Sequence, residues 1–271
     1  MRFRPSERLA IAYFIYVALI APFYIARPWR TSILAVAVAA WLWLMGRWTP
    51  IARDLAPLGA TLAAYREMDW FSALPHDHHL ERAWVVWDRL LLDGCHLRAA
   101  IESAGAIIPG FLELCYLLVY GVGPMVVVAA ILHRRRDTTD QLWMAYLAGT
   151  LGAYALFPYF PSDPPRTAFP GADLPHVITA LRRLNLYIVG GYGIHSSVFP
   201  SAHVSSAFSA AWGLLKTIPE KRWIGWSVAA YAVAVSIATV YGRYHYGVDV
   251  LAGFAVSLLA IPAARLGREG K

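Results

Sequence analysis

Three short stretches hold the side chains that could handle a phosphoryl group: Pro164-Pro165-Arg166, Phe199-Pro200-Ser201-Ala202-His203 and Arg243-Tyr244-His245-Tyr246-Gly247-Val248-Asp249. Pro200 and Ser201 read as a helix start, with Ser201 as the cap. The first turn of a helix presents unpaired amide N–H groups and the positive end of the dipole, an anion site, and His203 falls in that turn. His245 and Asp249 are four residues apart, so on a helix they share a face and the carboxylate reaches one imidazole nitrogen. That pairing fixes the tautomer and raises the basicity of the other nitrogen, which suits a nucleophile. Arg166 offers a planar fork for phosphate oxygens. Each feature alone has a plainer reading, as an interfacial histidine or a helix cap. An orienting acid, a nucleophile, a proton donor and an anion clamp together are harder to dismiss.

The run Phe-Pro-Ser-x-His at 199–203, followed by His-Tyr-x-x-Asp-Val-Leu-Ala-Gly at 245–253, resembles the type 2 phosphatidic acid phosphatase superfamily. Within it, Pro164-Pro165-Arg166 and Trp87-Asp88-Arg89-Leu90-Leu91-Leu92 look like the inositolphosphotransferase branch, which includes inositol phosphorylceramide synthases. The resemblance implies that His245 attacks phosphorus to form a phosphohistidine, with Asp249 holding its ring. His203 would protonate the leaving oxygen and then activate the water or alcohol that releases the phosphoryl group. Arg166, Ser201 and Arg243 are the phosphate-binding candidates. The implied substrate is a lipid phosphate, with an alcohol such as inositol as an acceptor, and no cofactor or metal is implied. Two positions depart from the broader pattern: Tyr159 stands where the first motif has Lys, and Thr239 where the third has Arg. A cradle with fewer cations suits a phosphodiester or bulkier headgroup better than a bare monoester. The rival class is a transporter or anion-binding protein that holds its ligand with the same groups and does no chemistry.

The elements that must position these residues are membrane helices. Of the 271 residues 58% are apolar and 15% charged, and the apolar ones gather in long runs. Leu9–Ala26, Thr31–Gly46, Ile107–Leu132, Leu142–Phe160, Pro200–Leu215, Trp223–Tyr241 and Tyr246–Ala264 each read as a span. A span needs about 20 mainly apolar residues, so Thr31–Gly46 and Pro200–Leu215 are short. The expected fold is an all-α polytopic bundle of about six to eight spans with a phosphatidic-acid-phosphatase-type core. Residues 1–80 are expected to form an N-terminal hairpin and connector, and residues 81–271 the catalytic domain. The formal charge of +7 does not signal nucleic acid, because no basic stripe interleaves with aromatics. The positive clusters at His133–Arg136, Lys216–Arg222 and Arg265, Arg268 and Lys271 fall on one membrane face, the cytoplasmic one by the positive-inside rule. The three chemical stretches then face the extracytoplasmic side.

The first half obeys that rule less well. Arg2, Arg4 and Arg8 ask for a cytoplasmic N-terminus, yet seven simple spans would put it outside. An extra crossing or re-entrant segment in Glu81–Gly105, an inverted first hairpin, or a cleaved signal peptide would each repair the parity. An uncleaved first span is the preferred reading. Pro50–His79 reads as an amphiphilic connector and Glu81–Gly105 as an amphipathic interfacial helix. His76-Asp77-His78-His79 has metal-ligand chemistry, but adjacent residues cannot all face one ion, so a polar loop is expected. Glu113 lies inside an apolar run and is read as structural glue. Leu181–Tyr187 suggests a short surface helix, and Gly190–Gly193 a flexible stretch before the chain re-enters the membrane.

Overall fold

A computed structural model describes residues 2–71, 76–171 and 173–267. Pro75, and Arg268 and Lys271 of the C-terminal basic cluster, lie outside the described residues. The structure is all-α. The N-terminal third holds α1 (Pro5–Ile20), α2 (Trp29–Trp48) and α3 (Pro50–Met68), then α4 (His79–Arg89) and α5 (Leu97–Glu102). Next come α6 (Ile107–Leu118) and α7 (Val122–Leu132), joined by a single 3₁₀ turn, and α8 (Thr139–Leu156). The final part contains the short α9 (Pro165–Ala168), α10 (Ala180–Tyr192), α11 (Ala202–Thr217), α12 (Arg222–Tyr241), α13 (Gly247–Ser257) and α14 (Ala260–Leu266).

Among the described residues five helical runs are long and apolar enough to cross a membrane: Pro5–Phe23, Trp29–Trp48, Ile107–Leu132, Pro219–Tyr241 and Gly247–Leu266. The protein is a multi-pass membrane protein. Two of the expected runs, Leu142–Phe160 and Pro200–Leu215, form α8 and α11 but do not meet that standard. Their place in the bundle explains why. Thirteen of the eighteen residues of α8 and twelve of the sixteen in α11 are buried, so protein rather than lipid surrounds them, and Ser, Thr and Gly are tolerated there. Small residues let the two backbones approach closely. Ser205 Oγ donates to the Gly149 carbonyl at 2.9 Å, and a Cβ on Gly149 would lie 1.8 Å from Ser209 Oγ.

Pro50–His79 is more than a connector. Residues 50–68 form one helix, started by Thr49, whose hydroxyl accepts from the Ala52 amide at 3.0 Å. Ala56, Ala60 and Ala64 recur every four residues and are buried, giving α3 a small-residue stripe that seats it in the bundle. Its start lies at the end of the molecule remote from His203 and His245. There Arg53 pairs with Glu7 at 2.6 Å, Asp54 takes Arg4 and Arg136 at 2.7 Å each, and Ser6 bonds Asp140. Its far end reaches the opposite pole, where Arg66 donates to the Tyr192 carbonyl at 3.0 Å. Thus α3 reaches from one pole of the bundle to the other, although it is not among the five runs long and apolar enough to cross a membrane. The start of α1 lies at the remote pole, together with the turns at 133–139 and 217–222, which meet through Arg135 and Glu220 at 2.9 Å.

At the other pole, α4 turns Glu81, Val85 and Asp88 inward and leaves Trp87 outward, the two-faced helix expected of that stretch. It does not continue to Gly105. A π turn at Leu90–Gly94 ends it, and α5 follows. The helix expected at Leu181–Tyr187 is longer, running through Gly190 and Gly191 to Tyr192, so that stretch is ordered helix rather than a hinge.

Candidate active site

Three backbone devices bring the chemical residues together. First, Ser201 caps α11: its hydroxyl accepts from the Val204 amide and its own N–H donates to the Asp249 carbonyl at 2.9 Å. Pro200 lies outside the helix, after a cis peptide bond from Phe199, rather than within the first turn. Second, Gly253 lets α13 press against the start of α11, since a Cβ there would lie 2.5 Å from the Ser201 carbonyl oxygen. Third, the Arg166 amide donates to the Arg243 carbonyl at 3.2 Å, tying the 164–166 turn to the loop that carries His245.

His245 is not on a helix. It precedes the cap of α13, and the loop rather than helical periodicity aims it at Asp249, which sits in the first turn. Nδ1 of His245 faces the Val198 carbonyl at 2.9 Å and Asp249 Oδ2 at 3.3 Å. A carbonyl oxygen can only accept, so Nδ1 carries the proton and Nε2 keeps its lone pair. That Nε2 lies 3.1 Å from Nδ1 of His203. Asp249 is fully buried and its Oδ2 also accepts from the Tyr246 amide at 2.8 Å, which fixes the carboxylate. Burial holds the His245 imidazole far below its ordinary value, at about 3, helped by the Arg166 charge and opposed by the Val198 carbonyl. His245 is therefore neutral at pH 7, as a nucleophile must be.

The expected cations separate into two kinds. Arg166 lies within electrostatic reach of both histidines, with its guanidinium 5.4 Å from the Tyr244 ring centre. It meets no carboxylate among the described residues. Arg243 is not open in this way. It takes a left-handed backbone conformation (φ 62°), is almost fully buried, and pairs with Asp88 at 2.7 Å. Asp88 also accepts from the Gly247 amide at 2.8 Å, so the pair pins α4 to the His245 loop. The Ser201 hydroxyl is buried and occupied by its cap. Of the three phosphate-binding candidates, Arg166 alone stands free beside the histidines.

Several supporting residues escaped the sequence reading. Tyr116 stacks on Tyr244 with ring centres 3.8 Å apart and lies 5.2 Å from the His203 ring. Trp84 stacks on Phe199 at 5.2 Å. Glu113, read as structural, is buried and fully partnered: one oxygen takes Arg182 at 2.8 Å, and the other takes Asn185 at 2.7 Å and the Tyr244 hydroxyl at 2.8 Å. Their signal was present only for Glu113 and Asp88, as charges inside apolar or amphipathic stretches. At the two departures from the wider pattern, Tyr159 bonds Tyr16 at 2.8 Å and Thr239 is buried with its hydroxyl on the Ser236 carbonyl.

Residues 85–263, about two thirds of the chain, match the PAP2 superfamily. The chain belongs to the PAP2 superfamily. A PA-phosphatase related-family protein of Dictyostelium discoideum is 35% identical over 63 residues, which is 23% of this chain and 11% of that protein. No solved structure matches. The chain is thus a membrane protein of the PAP2 superfamily, and both histidine stretches lie within the matched region.

Proposed function

We propose that this PAP2 superfamily protein is a metal-independent lipid phosphate phosphatase or phosphotransferase working through a phosphohistidine at His245. The observation that carries the reading is the Val198 carbonyl 2.9 Å from His245 Nδ1, which leaves Nε2 as the free base. Substrate phosphorus would take the place between Nε2 and His203, displacing their mutual 3.1 Å hydrogen bond. Nε2 then forms the N–P bond as the P–O bond to the lipid alcohol breaks, and His203, carrying a second proton taken up with the anionic substrate, gives that proton to the leaving oxygen and is left neutral. In the second half the neutral His203 removes a proton from water or an alcohol, whose oxygen attacks phosphorus and returns His245 to its starting form. Arg166 and the amides at the start of α11 would meet the charge on the equatorial oxygens, the largest contribution in phosphoryl transfer. Arg243, held by Asp88, would act by positioning the His245 loop.

The class of phosphate donor follows from the same reading. A single free arginine and the absence of Lys and Arg at positions 159 and 239 favour a diester or bulky headgroup, in line with the inositolphosphotransferase-like stretch Trp87–Leu92. We take residues 81–271 as the catalytic unit and residues 1–80 as an N-terminal addition that α3 locks onto it. Orientation follows from charge: Arg4, Arg53, Arg134–Arg136, Lys216, Lys221 and Arg222 gather at the remote pole, so that pole faces the cytoplasm and the site faces out.

The test is phosphate release from phosphatidate and a polyprenyl diphosphate by detergent-purified protein in EDTA, beside His245→Ala. Repeating it with inositol and a phosphoinositide–ceramide pair detects transfer. Turnover is expected to persist in EDTA and to fall by roughly 10³-fold or more in the variant. If no donor turns over and His245→Ala binds lipid as the parent does, the site is a binding site instead.

A further inference from the structure

A second polar cluster lies beside the site and takes no part in the chemistry above. Before α4 the chain turns through His78 in the left-handed conformation (φ 55°), and this turn sends neighbouring side chains different ways, which resolves the objection that adjacent residues cannot share an ion. Asp77 and His79 pair with each other at 2.5 Å on the outer side. His76 and His78 turn the other way, with Nε2 and Nδ1 lying 2.6 and 3.2 Å from Glu81 Oε1 and their ring centres 4.3 Å apart. Asp163 closes the group from a distant part of the chain: its amide donates to Glu81 Oε1 at 2.9 Å and its carboxylate lies 3.9 Å from His78. One ligand atom from each of the four falls within 4.8 Å of all the others.

A second observation points to a ligand. Glu81 is 0% exposed, and its other oxygen, Oε2, is buried with no hydrogen-bond partner. A buried carboxylate oxygen without a donor is costly, and a cation beside it removes the cost. We propose that His76, His78, Glu81 and Asp163 form a divalent cation site of the zinc type, a structural clamp rather than a catalytic centre. Two imidazoles and two carboxylates suit Zn²⁺, which takes nitrogen and carboxylate oxygen at about 2.0–2.2 Å in a tetrahedron whose ligands stand roughly 3.4 Å apart. To reach it, the 2.6 Å contact of His76 with Glu81 must open and the 3.9 Å separation of His78 from Asp163 must close, each by less than about 1 Å. His78 is 47% exposed and Asp163 38%, so the ion has a route in from water.

The clamp has a purpose in the fold. Asp163 lies three residues before Arg166, and its carbonyl accepts from the Tyr246 hydroxyl at 3.1 Å, next to His245. An ion at Glu81 therefore ties the segment before α4 to both the Arg166 turn and the His245 loop. Binding needs no phosphohistidine, so this inference and the proposed function stand or fall separately.

The experiment uses full-length protein purified without a polyhistidine tag, stripped with chelator and titrated with Zn²⁺ in detergent. We expect about one ion per chain with Kd tighter than about 1 µM, and no competition from Mg²⁺, which avoids imidazole. His78→Ala, at a half-exposed position that folding does not need, weakens binding at least tenfold, and Glu81→Gln does the same. His79→Ala leaves binding unchanged. Zinc also slows amide exchange at residues 76–81 and at Ser162, Asp163 and Arg166 in the parent but not in His78→Ala. Absence of stoichiometric zinc, or binding that survives both His78→Ala and Glu81→Gln, would overturn the proposal.

Discussion

Two buried polar clusters sit at the same pole of the bundle, joined through Tyr244, and they are built on opposite principles. In the Glu113 cluster every carboxylate oxygen has a donor, Arg182 neutralises the charge, and the same arginine caps the Gly242 carbonyl at 3.2 Å. In the histidine cluster the groups are arranged but not satisfied. His245 Nε2 and His203 Nδ1 have only each other, Arg166 meets no acid among the described residues, and Asp249 Oδ1 has no hydrogen-bond partner. The first cluster uses its charges to hold α6, α10 and the His245 loop in place. The second keeps its charges available for something that arrives. Both clusters keep unpartnered atoms, Arg182 Nε and Asn185 Oδ1 in the first and Asp249 Oδ1 in the second, so what separates them is whether the cation has its acid.

The sharpest way to break that contrast is to remove Glu113. Glu113→Ala leaves Arg182, whose side chain is 3% exposed, as an uncompensated buried cation. Removing one partner of such a pair costs about 3–5 kcal/mol. Thermal unfolding in detergent should show that loss, with Glu113→Gln intermediate because it keeps an acceptor for Asn185 and Tyr244. If Glu113→Ala were as stable as the parent but inactive, the cluster would belong to the reaction and the distinction would fail.

The complementary change is Arg166→Gln. Its guanidinium has no carboxylate to abandon, so stability should change by no more than about 1 kcal/mol, the scale of its contact with Tyr244. Turnover should fall by about 10²–10³-fold, as when a preorganised donor to a transition-state oxyanion is lost. Measuring kcat/KM and Tm on the same preparation separates the two clusters: Glu113 variants move Tm first, Arg166 variants move the rate first.

How much of this could be read from the residues alone depends on the range of the contact. Ser201 as a cap, the pairing of His245 with Asp249 and the inward Glu113 are set by neighbours a few positions apart or by hydropathy, and all are present in the structure. The Val198 carbonyl beneath His245 was not legible, because backbone acceptors look alike in any sequence. Nor was the fate of Arg243, which depends on Asp88 155 positions away. The burial of α8 and α11 was hidden too: their small and hydroxyl residues read as short spans, although they mark helices surrounded by protein. For α3, four charged residues masked an alanine stripe. At His76–His79 the composition was visible, but the selection of two of the three histidines depends on the left-handed turn at His78, which no residue type announces.

The last expected effect, smallest at neutral pH, is in pH dependence, and it refines the same comparison. The His245 imidazole is lowered from 6.5 to about 3, first by burial and then by Arg166. A lowered histidine pKa favours the neutral form in the folded chain, while the unfolded chain takes up a proton below about pH 6.5. The contribution is therefore present above that pH and is lost as pH falls towards 3, by up to about 1.4 kcal/mol per pH unit for this one group. For activity the sign is the same: the nucleophile stays unprotonated well below neutrality, so the acid limb of kcat/KM due to His245 should not appear near 6.5. Replacing Arg166 with Gln removes one cause of the lowering and should move that limb to higher pH, whereas Glu113→Gln, which touches neither histidine, should leave it in place. A parent profile that bends at 6.5 would mean that water reaches His245 freely. The unsatisfied cluster would then be open to solvent rather than held ready for substrate.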